Sequence, residues 1–295
     1  MLPEFPKFKE LEIGDLEQIK PFLEISPPNI CELSPSNLFI WSDFDRPQLT
    51  IINNNLCIFI NPLNESPYFL QPLGITNLPE TLNIGFSHCA KISRVTKDFL
   101  ALLPHHRYKT VELRSHSDYL YEVKTLAELK GRKFDGKRNH LKNFHKRHPN
   151  YQYLPLTCDL KNDCLAVFEA WFAARAESRY FPRLAHTAQK AALEKAFKYG
   201  DRLGLIGGAI SLNHQLAGFM IGSRLNKETL AAHFQYGRPD ISGIFPALIW
   251  ETCNRTFANY KYINLEQDLG IPGLRQSKLS YHPLKLVEKF ELTLI

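Results

Sequence analysis

The apolar and polar positions in the second half of the chain form a regular series of predicted elements. Spacing of three to four residues predicts two amphipathic helices, and alternation then predicts strands around a further long helix. In chain order these are helices 164–178 and 187–198, strands 203–212, 215–225 and 228–236, a helix 244–259, a strand 260–266, a short helix within 273–282 and an alternating final strand 283–295.

The order of these elements indicates the topology of the sheet. Three antiparallel strands come first, and the helix at 244–259 then joins two strands that a right-handed crossover makes parallel. This order is typical of the acyl-CoA N-acyltransferase fold. The first half repeats it weakly, beginning with the hairpin signature at 48–61. We therefore predict an α+β fold with two tandem acyl-CoA N-acyltransferase (GNAT-like) units, 1–124 and 125–295, each a mixed sheet flanked by helices.

Composition narrows the class of protein. The chain has 295 residues, of which 44% are hydrophobic and 12% aromatic, which is enough for a large core. No apolar run approaches the roughly 18 residues of a membrane-spanning helix. The six cysteines form no CxxC pair, which favours reduced thiols over a metal centre. These features predict a cytoplasmic protein without a metal.

Positive charge is concentrated in the stretch 131–150, GRKFDGKRNHLKNFHKRHPN. It contains seven Lys or Arg residues and one acid, whereas the net charge of the whole chain is +6. The charge is therefore a local feature, and a local basic element favours a phosphate-bearing partner such as nucleic acid, a nucleotide or an anionic lipid surface.

We interpret most of this stretch as a helix that ends before His148-Pro149. Like charges four residues apart repel, so the arrangement does not serve helix stability. RNA phosphates would offset the repulsion, although a solvated face paired with acids from elsewhere remains open. The candidate RNA- or phosphate-binding residues are Arg132, Lys133, Lys137, Arg138, Lys142 and Lys146.

Two carboxylates follow the predicted strand 260–266. Glu266 and Asp268 stand where sites of α/β proteins gather, at the carboxyl end of a strand after a crossover helix. If the strand continues, both side chains point to the same side, and their repulsion raises one pKa into the range of a general base. The alternative is that these acids cap the following helix.

Three motifs together resemble a known family. The segments DYLY, GRKFDGKRNHLKNF and INLEQDLGIPGLRQSKLSYHP are similar to the soluble relatives of the phosphatidylglycerol lysyltransferase catalytic domain. The similarity covers 110–295 and extends to the whole chain, because that family is built as tandem acyltransferase-like domains. The resemblance implies transfer of an amino acid from aminoacyl-tRNA, which the membrane-anchored members direct to a lipid headgroup.

The resemblance also implies site residues. The family's helix pattern is met by Trp171, Phe172, Arg175 and Glu177, and its glycine at the start of the central helix by Gly243. Where the family pattern has an Asp three residues later, this chain has Pro246, and the membrane half of the synthases is missing.

Each of four further residues has a possible substrate-binding role and a structural alternative. Glu177 is a candidate for binding a donor ammonium group, beside Arg175 or Arg179, or else it forms a surface ion pair. Lys278 and Tyr281 contact phosphate or cap the last helical turn. Tyr236 shapes the substrate pocket or belongs to the core.

The turn QYGRPDISGI would form the pyrophosphate loop of a CoA-binding relative. Such a loop needs closely spaced glycines, whereas Gly237 and Gly243 are six residues apart and Pro239 removes a donor between them. The sequence therefore disfavours CoA.

The sequence thus predicts an aminoacyltransferase that needs no cofactor. Its donor is aminoacyl-tRNA, and its acceptor is a small molecule or a lipid headgroup. The alternatives are a CoA-dependent N-acyltransferase using acetyl-CoA and a non-catalytic RNA-binding protein of the same fold.

Overall fold

The chain divides into two compact units in a computed structural model that describes residues 1–178, 180 and 182–295. The first unit comprises Met1–Asp118, Gln267–Gly270 and Leu286–Ile295. The second comprises Tyr119–Glu266 and Ile271–Lys285.

The strands belong to two mixed sheets. In chain order they are β1 (Lys9–Glu10), β2 (Gln48–Ile52), β3 (Asn55–Ile60), β4 (Tyr68–Phe69), β5 (Lys91–Thr96), β6 (Tyr108–Glu112), β7 (Asp118–Glu122), β8 (Gln152–Pro155), β9 (Leu205–Leu212), β10 (Gln215–Arg224), β11 (Thr229–Gly237), β12 (Tyr262–Asn264), β13 (Lys285–Val287) and β14 (Lys289–Leu294).

The helices flank these sheets. They are α1 (Leu16–Ile25), α2 (Pro35–Ile40), α3 (Ser42–Asp45), α4 (Leu78–His88), α5 (Lys97–Leu100), α6 (Val123–Glu128), α7 (Asp135–Arg147), α8 (Lys161–Ala173), α9 (Arg183–Leu203), α10 (Ile244–Asn254) and α11 (Pro272–Leu279). Among the described residues, no helix combines the length and the apolar character needed to cross a bilayer.

The first sheet has the order β1-β2-β3-β4-β5-β14-β6. Its first four strands are antiparallel, and α4 then leads to β5, which lies parallel to β4 through the pair Phe69 and Ile92. Helix α4 packs closely on β4, because a Cβ on Gly85 would lie 2.8 Å from the ring of Phe69. Phe59, Phe69, Leu82 and Ile92 belong to the apolar core of this unit.

The second sheet has the order β13-β7-β12-β11-β10-β9-β8. Strands β9, β10 and β11 are antiparallel, and α10 connects β11 to the parallel strand β12. Helix α10 packs against β10, where Gly218 leaves room for Ile244 and Leu248. The predicted crossover is therefore confirmed, as is the α+β fold of two GNAT-like units.

The final strand differs from the prediction. The alternation over 283–295 predicts one strand in the second unit, but the segment forms two short strands in different sheets. Strand β13 lies beside β7, whereas β14 pairs with β5 and β6 of the first sheet. Alternating polarity identifies a strand, but it does not identify the neighbour that completes the strand's hydrogen bonds.

Candidate active site

The parallel strands β11 and β12 separate soon after they begin. They pair only over Thr229–Ala231 and Tyr262–Asn264, while β11 continues to Gly237 on its β10 side. In the described part of the chain, the register of β11 and β12 contains no pair beyond Ala231 and Asn264. We call the resulting gap the β11/β12 opening.

Glu266 lies at this opening. Strand β12 ends at Asn264, whose side chain accepts a hydrogen bond of 2.7 Å from the backbone N–H of Glu266. Glu266 has a φ of 57°, a left-handed conformation that turns the chain out of the strand. Because the strand does not continue, the condition for Glu266 and Asp268 to point to the same side is not met.

His233 connects Glu266 to the sheet. Its Nδ1 lies 2.9 Å from Oε1 of Glu266, and its Nε2 lies 2.7 Å from Oγ of Ser223 on β10. The His233 side chain is fully buried, whereas the Glu266 side chain is 19% exposed. A carboxylate held in this way at a partly exposed strand end has the placement of a general base.

Sequence reasoning missed His233 and Ser223. The available signal was a single imidazole in the apolar strand TLAAHFQYG, where a core histidine needs hydrogen-bond partners. Its two partners stand 10 and 33 residues away. Only the pairing of β10, β11 and β12 brings them together.

Lys278 supports the turn that carries Glu266. Its ammonium group donates a hydrogen bond of 2.7 Å to the carbonyl of Leu265. The carbonyl of Lys278 in turn accepts a hydrogen bond of 2.7 Å from the hydroxyl of Tyr121. Lys278 therefore holds the residue preceding the candidate base, and its predicted contact with substrate phosphate stays a prediction.

Tyr281 and Lys137 contact each other. The Lys137 ammonium lies 3.7 Å from the centroid of the buried Tyr281 ring. Burial lowers the pKa of Lys137 to about 8, which makes it a weaker phosphate-binding candidate than a fully exposed lysine. The predicted substrate contact of Tyr281 stays a prediction.

Tyr236 lies on β11 among aromatic side chains. It packs edge-on against Phe168 and Trp171, and its hydroxyl donates a hydrogen bond to Gln189. Burial, followed by the charge of Glu266, raises the pKa of Tyr236. Tyr236 is thus a core residue that borders the candidate site.

The residues of the predicted helix pattern lie in two elements. Trp171 and Phe172 belong to α8, and Arg175 and Glu177 belong to the turn that follows it. The guanidinium of Arg175 lies 4.1 Å from the Trp171 ring centroid and donates to the Trp171 carbonyl. Glu177 is exposed in the same turn, and Arg179 lies outside the described residues. The substrate-binding roles of Arg175 and Glu177 stay predictions.

Asp268 has a structural explanation. Its side chain is buried, and its oxygens accept hydrogen bonds of 2.8 Å from the Gly270 N–H and 3.1 Å from Arg114. It belongs to the first unit, whereas Glu266 belongs to the second. These contacts hold the loop before α11, which differs from the alternative that Asp268 caps the helix, and the catalytic role of Asp268 stays a prediction.

The basic stretch forms a short 3-10 turn, Arg132–Phe134, followed by α7. Phe134, Leu141 and Phe144 are buried, and Arg132, Lys133, Lys142 and Lys146 are exposed. None of these four cations forms an ion pair within the described part of the chain. Their charges are therefore not neutralised by acids from those residues.

Arg138 differs from the other predicted phosphate-binding residues. Its guanidinium donates to the carbonyls of Leu129 and Gly131 and to the carboxylate of Asp135. These contacts close the end of α6 at Leu129, which has a left-handed φ of 48°. A cation at a helix C-terminus is stabilising, so Arg138 has a structural role and its phosphate-binding role stays a prediction.

Gly243 begins α10 with a φ of 89°, which favours glycine. A Cβ there would lie 3.2 Å from Cβ of Phe144 on α7. The close packing of α7 and α10 explains this glycine without a ligand, and its predicted substrate contact stays a prediction.

One group in the described residues has metal-ligand spacing. Ligand atoms of Cys31, Glu32 and Asp118, in the first unit, all lie within 4.8 Å of one another. The Lys289 ammonium lies 2.6 Å from both carboxylates and 3.7 Å from the thiol sulfur. A lysine thus supplies the positive charge at this cluster.

Comparison with known proteins gives first the fold and then the family. L-PGS from Bacillus licheniformis is 15% identical, with a TM-score of 0.65 over 99% of this chain and 93% of that one. This likeness agrees with the tandem acyltransferase fold. The family described as "Phosphatidylglycerol lysyltransferase, C-terminal" matches residues 23–292, and the chain belongs to this family.

A second structure is more similar. A conserved protein of unknown function from Bacteroides thetaiotaomicron is 30% identical over the whole of both chains, with a TM-score of 0.88. No curated protein matches the chain.

Proposed function

We propose that the protein transfers an aminoacyl group from aminoacyl-tRNA to an amine or hydroxyl acceptor at the β11/β12 opening, with Glu266 as the general base. The observation that carries the proposal is the Glu266 carboxylate, fixed by His233 at the point where the two parallel strands separate. Membership of a lysyltransferase family supports the type of reaction.

The proposed reaction requires little acid–base catalysis from the protein. An aminoacyl ester is already activated, so the site has to position the acceptor, remove its proton and stabilise the developing oxyanion. Glu266 supplies the base. The acceptor oxygen or nitrogen attacks the ester carbonyl, and its proton passes to Glu266. The ester C–O bond to the tRNA then breaks, and the protonated Glu266 returns this proton to the leaving tRNA hydroxyl.

The exposed basic residues support tRNA as the donor. Arg132, Lys133, Lys142 and Lys146 face solvent without ion-pair partners in the described part of the chain. Each phosphate that such a cation neutralises releases counterions and makes binding salt-dependent.

The turn before α10 supports tRNA over CoA. A pyrophosphate loop presents its N–H groups to the phosphates. Here the N–H of Arg238 donates to the Ala217 carbonyl, and the N–H of Ile241 donates to the Arg238 carbonyl. Pro239 has no N–H to offer. Two N–H groups of this segment are therefore already engaged within the protein.

The test is transfer of label from a pool of radiolabelled aminoacyl-tRNA. The protein is incubated with this pool and a cell extract that contains lipids and small molecules, and the labelled product is identified. We expect label in a new product with wild type and none with Glu266→Gln. The same product from both proteins, or no product from wild type, would contradict the proposal.

A further inference from the structure

Ser223, His233 and Glu266 form a hydrogen-bonded series of serine, histidine and acid. Where serine is the nucleophile of such a series, the serine faces the substrate, whereas here the acid is the exposed end. Ser223 is 1% exposed, on a central strand between β9 and β11, and the carboxylate is the end nearest solvent. A buried hydroxyl cannot attack a substrate in the opening. We propose that Ser223 and His233 are positioning residues that orient the Glu266 carboxylate for proton transfer.

With a neutral His233 ring and an ionised Glu266, the donors and acceptors of these three side chains have one consistent arrangement. An ionised carboxylate only accepts, so Nδ1 of His233 carries a hydrogen and donates it to Oε1 of Glu266. In the neutral ring Nε2 is then an acceptor, and the Ser223 hydroxyl donates to it over 2.7 Å. Ser223 thus fixes the tautomer of His233, and His233 fixes Oε1 of Glu266.

A β-bulge in β11 directs the His233 side chain toward Glu266. Ile221 pairs with Phe234 and Gly222 with Ala232, so His233 is the extra residue of a β-bulge. A bulge bends its strand and redirects a side chain, often next to a functional site. Gly222 provides the necessary space, since a Cβ there would lie 2.5 Å from the Ala231 carbonyl oxygen.

Two substitutions of His233 distinguish its effect on the orientation of Glu266 from the effect of its side-chain volume. In His233→Asn the amide nitrogen can replace Nδ1 and donate to Glu266, whereas in His233→Gln it reaches the position of Nε2. This inference rests on the proposed function for its kinetic test. With KM unchanged, we expect His233→Gln to lower kcat by about 10–100-fold, the range found when a residue that orients a metal ligand is replaced. His233→Asn should retain several-fold more activity than His233→Gln, and equal losses would overturn the inference.

A spectroscopic test needs no donor or acceptor. In protein with ¹⁵N-labelled histidine, NMR reports which ring nitrogen is protonated, and His233→Asn assigns the resonances. We expect the Nδ1–H tautomer in wild type and loss of that preference in Ser223→Ala. A wild-type Nε2–H tautomer would overturn the inference. If the tautomer is as expected but no aminoacyl group is transferred, the proposed function fails and the tautomer assignment stands.

Discussion

Each unit has one pair of parallel strands joined by a helix, β4 and β5 in the first unit and β11 and β12 in the second. The side chains beside the two pairs differ. In the first unit Gln71, two residues after β4, accepts hydrogen bonds from the Thr96 N–H (2.9 Å) and hydroxyl (3.1 Å). In the second unit the corresponding strands separate, and His233 and Glu266 lie at the gap.

The two units also differ in how their charged side chains are paired. In the first unit Arg94 lies 3.2 Å from both carboxylate oxygens of Glu65, and Lys289 is enclosed by Glu32 and Asp118. These charges satisfy one another. In the second unit the Glu266 carboxylate is held by an imidazole and is partly exposed. If Glu266 acts as proposed, the second unit carries the chemistry, whereas the charged groups of the first unit satisfy one another.

The largest expected effect is on catalysis in the second unit. Glu266→Gln should lower kcat for aminoacyl transfer by about 10²–10⁴-fold, the usual contribution of a general base, with little change in the midpoint of thermal unfolding. The matched control is Glu65→Gln in the first unit, which weakens the contact with Arg94. It should lower the unfolding midpoint and leave transfer per folded molecule unchanged. Equal kcat losses in both variants would remove the distinction between the units.

The next effect is on stability in the first unit. Lys289→Met removes a fully buried cation and leaves Glu32 and Asp118 without it, so the free energy of unfolding should fall by about 3–5 kcal/mol in urea titrations. Lys97→Met is the control, because its ion pair with Glu288 is exposed and should contribute less than about 1 kcal/mol. A similar small loss in both variants would show that the buried cluster does not stabilise the unit.

A smaller effect concerns RNA binding by the second unit. Lys142→Ala with Lys146→Ala should weaken tRNA binding and reduce the slope of log K against log salt by about one per phosphate contact. The control is Lys7→Ala with Lys109→Ala, two exposed lysines of the first unit. Fluorescence anisotropy over a salt series measures both. An unchanged slope in the α7 variant would contradict this role.

The smallest effect is a pH dependence in the first unit. Burial, followed by the charge of Glu32, raises the pKa of Asp45 from 3.8 to about 7. Between these values the folded state keeps a proton that the unfolded state releases, so this group lowers stability as pH rises from about 4 to 7. Asp45→Asn should remove that slope and gain stability relative to wild type as pH rises.

The comparison with wild type cancels the other titrating groups. Burial lowers the pKa of His116 to about 4, which gives the opposite slope, a loss of stability as pH falls from 6.5 to 4. Urea midpoints of wild type and Asp45→Asn across this range measure the difference. A difference that does not change with pH would contradict the assignment to Asp45.

The fold of the second unit was predictable because its helices and strands are long and strongly periodic. The order of β9, β10, β11, α10 and β12 follows from sequence spacing and the handedness of the crossover. The place of β14 was not predictable, because it depends on hydrogen bonds with strands that lie nearly 200 residues earlier.

The candidate site was predictable only in part. Glu266 follows from its position after a strand, but its partners depend on strand register and on a bulge that alternation does not reveal. Arg138 illustrates the opposite failure. The sequence places it among the predicted phosphate-binding residues, but the carbonyls of Leu129 and Gly131 accept hydrogen bonds from its guanidinium.

Aminoacyl transfer by Glu266 is tested most sharply by a competition between two acyl donors in one reaction. Aminoacyl-tRNA and acetyl-CoA carry different radiolabels, and the acceptor product is analysed for both with wild type and Glu266→Gln. We predict that only the aminoacyl label moves, and that Glu266→Gln abolishes its movement. Transfer of the acetyl label, with or without the aminoacyl label, or aminoacyl transfer that survives Glu266→Gln, would contradict the proposed function.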